Sequence, residues 1–123
     1  QTLEGSKIVV HPVRIQDALF QDLVGRMKKC GLVVIQETPE EHDRQIAQTL
    51  VLTHLIGRTL MHMGARPLEI DTKGHRRLMR ILETVENDSF QLFQDMNDYN
   101  RFAKGAREAF MSSLQAMCAK VKA

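Results

Sequence analysis

"TPEEHDRQIAQTLVLTHLIGRTLMHM", residues 38–63, is the stretch on which the fold turns. It opens as a capping box with Pro39 at the first helical position. The Thr38 hydroxyl can accept from the amide of Glu41, and Glu41 can reach back. The helix should run to about Met63, where Gly64 and the Arg66-Pro67 pair end it. From Ile46 to Gly57 it carries no formal charge, His54 being its one titratable group, and apolar residues fall on every side. A helix that is apolar all round is buried all round. The helices that follow are too few to surround it, so a partner chain is expected, most economically a second copy packed on this helix.

Upstream, "KIVVHPV" (7–13) and "LVVIQE" (32–37) are short, β-branched and bounded by Gly or Pro, as strands are. Between them Ile15, Leu19, Leu23 and Met27 form a helical stripe, with Lys28 and Lys29 in the last turn and Gly31 as the stop. Strand, helix, strand in this span is a βαβ unit with a parallel pair. Parallel sheets bury both faces, so one such unit reads as the trailing edge of a larger α/β domain. Downstream, helices are expected over 73–86, from Asp88 or Ser89 to about Asp98, and from about Asn100 to Val121.

With a net charge of +2 and 43% hydrophobic residues in 123, the chain reads as a folded globular protein. Nucleic-acid binders usually show a domain-wide basic surface, so no nucleic-acid partner is expected. The two cysteines, Cys30 and Cys118, lack metal or redox spacing and read as buried, reduced thiols. The seven methionines read as core and His62 as surface. The longest uncharged run, Gln45–Gly57, is shorter than the roughly 20 residues a membrane span needs. A soluble, cytoplasmic protein without a membrane partner is expected. The first residue is Gln and no signal peptide opens the chain, so a piece of something longer is also expected.

Two groups of residues bear on chemistry. His54 and Arg58 are four apart and share a face of the apolar helix. A buried guanidinium needs an anion or an exit to water. Arg58 therefore either pairs with an acid of another helix beside a satisfied core histidine, or meets an anionic ligand. The second group is "DTKGHRRLMR", 71–80. At 100° per residue Arg76 and Arg80 lie about 40° apart, opposite Leu78, Ile81, Leu82 and Val85, with Met79 and His75 on the apolar side. Two guanidinium groups near a helix N-terminus suit a carboxylate or phosphate. They equally suit a solvated face paired with acids such as Glu83. His11-Pro12 has neither nucleophile nor orienting carboxylate nearby. His42 and His54 are about 18 Å apart along a helix and make no metal site. Asn97, Tyr99 and Asn100 read as capping or packing residues at a helix junction.

The helix that opens at Thr38 resembles the junction between the two domains of prephenate and arogenate dehydrogenases, the NAD(P)-dependent enzymes of tyrosine biosynthesis. That family has an acidic "EHD" helix start and then a Ser/Thr-His-Leu segment. "IDTKGH" (70–75) and "LETVENDSFQLFQDMNDYN" (82–100) look most like the plant arogenate dehydrogenases, and "LEGSKIVVHPVR" (3–14) is similar to the last strand of the family's nucleotide-binding domain. The order and spacing of these stretches, more than any one of them, carry the resemblance.

The resemblance implies a mainly α fold. A trailing β-α-β of a Rossmann-type NAD(P)-binding domain would occupy 1–38, and a helical dimerisation and substrate-binding domain 39–123. The glycine-rich loop and the catalytic histidine of a His-Pro-x-x-Gly-Pro element belong to the N-terminal part, so NAD or NADP would be bound there and no catalytic residue falls in this chain. His11-Pro12 is followed by Val-Arg and is a lookalike. The family's Gly-Phe-Arg/Lys-Asp-x-x-Arg frame reads Gly74-His75-Arg76-Arg77-Leu78-Met79-Arg80 here. Arg76 and Arg80 match its two basic positions, while His75 replaces the aromatic residue and Arg77 replaces the acid. Lys73 belongs to the Thr-Lys-Gly turn. His54 and Arg58 fit a plant-like Thr-His-x-x-Gly-Arg pattern, with Gly57 where bacterial members carry a second histidine. These residues would bind a small anionic substrate, prephenate or arogenate, in a homodimer formed through the 39–63 helix and its neighbours. The alternatives are a non-catalytic helical dimer module and the helical domain of another β-hydroxyacid-type dehydrogenase.

Overall fold

A computed structural model describes residues 2–121. They fall into two compact units, Gln1–His42 and Asp43–Ala123.

In the first unit β1 (Lys7–Val10) pairs in parallel with β2 (Val33–Gln36), Lys7 opposite Val33 and Val10 opposite Gln36. The crossover is α1 (Asp17–Lys29). β1 stops short of the expected 7–13 because Pro12 has no amide to give a ladder. His11 is left exposed beyond the strand. The stripe expected on α1 is also corrected. Phe20 and Val24 are buried, whereas Leu19 and Leu23 are 58% and 41% exposed. The helix carries two adjoining apolar stripes about 100° apart, and two strands cover only one.

The Thr38 cap forms as expected, the Glu41 amide donating to Thr38 Oγ1 at 3.1 Å. From there α2 (Pro39–Ile46), a π-helical turn (Ala47–Val51) and α3 (Leu52–His62) follow one another directly. Thr49 and Thr53 donate back to the carbonyls of Gln45 and Thr49, both at 2.8 Å, so their hydroxyls need no other partner in this apolar stretch. Ala47, Val51, His54 and Gly57 are buried, while Leu50 stays 41% exposed. Within this chain the helix is thus buried along one stripe and not all round. Gly64 ends α3 with φ of +74°, a conformation only glycine adopts readily.

The second unit continues with α4 (Lys73–Glu86), α5 (Phe90–Asp98) and α6 (Ala103–Lys120). Thr72 and Ser89 cap α4 and α5, accepting from the amides of His75 and Leu92 at 3.1 Å each. Asn100, 8% exposed, donates to the Asp43 carbonyl at 2.7 Å and accepts from the Phe102 amide at 2.9 Å. Asn97 donates to the Phe93 carbonyl and accepts from Arg107. Both asparagines serve the helix corner as expected, whereas Tyr99 is 84% exposed.

α3 and α4 make the tightest approach. A Cβ added at Gly57 would stand 2.5 Å from Val85 Cγ2 and 3.2 Å from the Ile81 carbonyl. The second histidine of the bacterial pattern has no room at this position. On α4 Met79 and Val85 are buried, but Leu78, expected in the core, is 43% exposed. Both cysteines are exposed, contrary to the buried reading. So are Met61, Met63, Met111 and Met117, which were expected in the core. Thiol and thioether chemistry tolerates water, and composition does not fix their burial.

Candidate functional site

α4 leaves Thr72 with its apolar side turned to α3 and its basic side outward, so the expected residues split into two groups. At the N-terminal half of α4, Arg76 and Arg80 line a cavity of about 260 Å³ with Pro67, Asp71, His75 and Glu83. Arg76 Nη1 pairs with the Asp71 carboxylate. Among the described residues the side chains of Lys73, Arg77 and Arg80 have no ion pair or hydrogen-bond partner. Lys73 and Arg77 join Arg76 and Arg80 around a second depression of about 240 Å³. His75 sits between the polar cavity and an apolar one lined by Leu60, Leu68 and Leu78, and its buried Nδ1 has no partner.

The second group lies at the α4–α5 corner, where α3 supplies His54 and Arg58. The Arg58 Nη2 donates to the carbonyls of Asp88 and Ser89 at 2.6 and 2.8 Å. Its guanidinium lies 5.6 Å from the ring centres of both Phe90 and Phe93, within cation–π range. His54, 3% exposed, places Nε2 3.4 Å from Asp88 Oδ2. Burial holds its imidazole below the ordinary value. The Asp88 carboxylate pulls it up and the Arg58 guanidinium pushes it down, and burial prevails. His54 is therefore neutral at physiological pH, and its Nδ1 is buried without a partner.

The twelve residues from Arg76 to Asp88 span about 18 Å at helical rise. Within this chain Arg58 meets backbone carbonyls and not the acidic side chain of another helix that one sequence option expected. Two acids now matter that sequence reasoning passed over as site residues, Asp71 and above all Asp88, beside Glu83, which it had named as a pairing acid. Asp88 stood inside the "ENDSF" run, which was read as a helix start and as part of the family resemblance but not as holding a site residue.

Among the described residues no group of three His, Cys, Asp or Glu side chains is placed to hold a metal ion. No helix among them is long and apolar enough to cross a membrane. The turn from β1 into α1, residues 11–16, contains no glycine and includes Pro12. It does not fit a dinucleotide pyrophosphate, which needs close backbone approach and free amides.

A mainly helical chain opened by a two-stranded parallel sheet is the architecture of the C-terminal part of a prephenate dehydrogenase. The structure superposes with a TM-score of 0.64 on the crystal structure of prephenate dehydrogenase from A. aeolicus in complex with hydroxyphenyl propionate and NAD+, at 24% identity, covering 92% of this chain and 41% of that one. Arogenate dehydrogenase 2, chloroplastic, from Arabidopsis thaliana is 31% identical over 78% of this chain, and Arogenate dehydrogenase 1, chloroplastic, from the same plant 30% over 80%. The chain spans 28% and 15% of the length of those two relatives. The family model "TYRAAT1-like, C-terminal domain" matches residues 59–123. The chain belongs to that family and is a C-terminal portion of the prephenate/arogenate dehydrogenase type.

Proposed function

We propose that this chain supplies substrate-binding and dimerisation surfaces to an enzyme that oxidatively decarboxylates prephenate or arogenate with NAD or NADP as oxidant. The observation that carries the reading is the cavity at the start of α4, where Arg76 and Arg80 converge on one face. In this reading Arg76 and Arg80 meet the substrate's carboxylates and orient it for reaction, while Lys73 adds positive charge from the outer depression beside them. His54 and Arg58 act through Asp88, holding its partly exposed carboxylate at the corner. The cofactor would be held by residues outside this chain, because the turn between β1 and α1 does not fit it. The division into a nucleotide-domain remnant (1–38) and a helical domain (39–123), the homodimer and the cytoplasmic setting belong to the same reading.

An NMR titration of this chain with prephenate and with arogenate tests it. Shifts confined to the first turns of α4, and abolished in the Arg76→Ala/Arg80→Ala variant, are expected. No shift with either ligand would favour the non-catalytic dimer module. Hydride transfer to NAD(P)+ by these 123 residues alone would overturn the view that the chain lacks the catalytic and cofactor-binding groups.

A further inference from the structure

The cavity at the start of α4 holds charges of both signs, and only some of them are matched. Arg76, Arg80 and Glu83 fall within about 60° of one another on the helix, and Asp71 enters from the turn before it. Asp71 is spent on Arg76. Of the α4 neighbours three or four positions from Glu83, Arg80 is the one cation, the others being Met79, Glu86 and Asn87. Yet among the described residues the side chains of Arg80 and Glu83 have no ion-pair or hydrogen-bond partner, not even each other. Side chains on a helix lean back toward its N-terminus, and the longer arginine reaches further that way. A free guanidinium and a free carboxylate are thus spread along one wall of a cavity of about 260 Å³.

That pair has a chemical complement. An α-amino acid carries a carboxylate and an ammonium on one carbon. Its carboxylate can accept from the Arg80 guanidinium while its ammonium donates to Glu83, each bond charge-assisted. A 2-oxo acid keeps the carboxylate but sets a carbonyl oxygen in the place of the ammonium. That oxygen can only accept, as can the Glu83 carboxylate, so the two repel. Arogenate and prephenate differ at this one group. The outer depression, lined by Lys73, Arg76, Arg77 and Arg80, holds no acid and has no means of telling them apart.

We propose that Glu83 is a specificity-determining residue, which reads the α-amino group of the ligand whose carboxylate Arg80 holds. The proposal rests on the reading of the Arg76/Arg80 cavity as a carboxylate site and goes past it by naming the group that chooses between the two ligands. NMR titration of the whole chain with arogenate and with prephenate should show arogenate bound about tenfold more tightly. Glu83→Gln keeps the shape and removes the charge, and Glu83 is exposed, so helical circular dichroism should not change. This variant should lose about tenfold in arogenate affinity and none in prephenate affinity, which abolishes the preference. Glu83→Lys should reverse it, and Glu83→Asp should keep part of it. Equal binding of both ligands by the wild-type chain, or a preference that survives Glu83→Gln, would overturn the role of Glu83 while leaving the carboxylate site standing. Binding of neither ligand would overturn both.

Discussion

Arg58 and Arg80 are the same residue type on two packed helices, and the structure uses them in opposite ways. Arg58 is half-buried, spends its Nη2 on two backbone carbonyls and lies against two phenylalanine rings. Arg80 is exposed at the edge of a cavity, and its side chain has no ion pair or hydrogen-bond partner among the described residues. A guanidinium drawn into the fold is matched there first, as the Arg58 Nη2 is, although its buried Nε has no hydrogen-bond partner. One that remains in water contributes little to stability and keeps its donors for an anion. Location relative to the α3–α4 seam, and not charge, separates the structural arginine from the one available for binding.

Arg58→Ala tests the contrast most severely. It strips the Asp88 and Ser89 carbonyls of their donor at a packed corner and should cost about 2–4 kcal/mol. Arg80→Ala should stay within about 0.5 kcal/mol, as surface changes do. Urea unfolding of both variants checks the pair, and equal losses would end the distinction. Gly57→Ala comes next. Its methyl meets Val85 at 2.5 Å, so α4 must shift away from α3, at about 1–3 kcal/mol. Trimming Val85 to Ala in the same background should return less than it removes, because the Ile81 carbonyl stands only 3.2 Å away.

The sequence announced the helix starts, because a cap is a local device. Thr38, Thr72 and Ser89 each accept an amide three residues on, and α4 runs over the expected 73–86. It did not reveal which of two adjoining stripes on α1 faces the sheet, since Leu19/Leu23 and Phe20/Val24 are equally apolar. Nor could it find the partners of Arg58. Those are backbone oxygens, which every residue carries, so no side-chain pattern marks them. Arg76 and Arg80 were legible as one face because helical spacing alone places them there.

His54 gives a smaller effect with a definite sign. Its imidazole sits below its ordinary value in the folded chain, so the unfolded chain binds the additional proton first. Stability should be level near neutral pH and fall as pH drops below about 6.5, down to the folded value. Asp88→Asn removes the group that pulls His54 upward, so the imidazole should titrate lower still and the loss extend further into acid. Proton NMR of the imidazole, with urea unfolding at neutral and mildly acidic pH, reads both. A His54 that titrates above the ordinary value would mean that Asp88 and not burial governs it.

The smallest expected effect belongs to Arg77. It lies about 100° round α4 from Arg76 and lines the outer depression, but not the cavity that holds Asp71 and Glu83. If Arg76 and Arg80 work by converging on a carboxylate, Arg77→Ala should leave ligand affinity within about twofold, whereas Arg80→Ala lowers it about tenfold. If the cluster works by charge alone, the two variants should weaken binding equally, and added salt should erase the difference from wild type. An NMR titration of both variants with the same carboxylate, at low and at high salt, separates a pair of placed arginines from a basic patch.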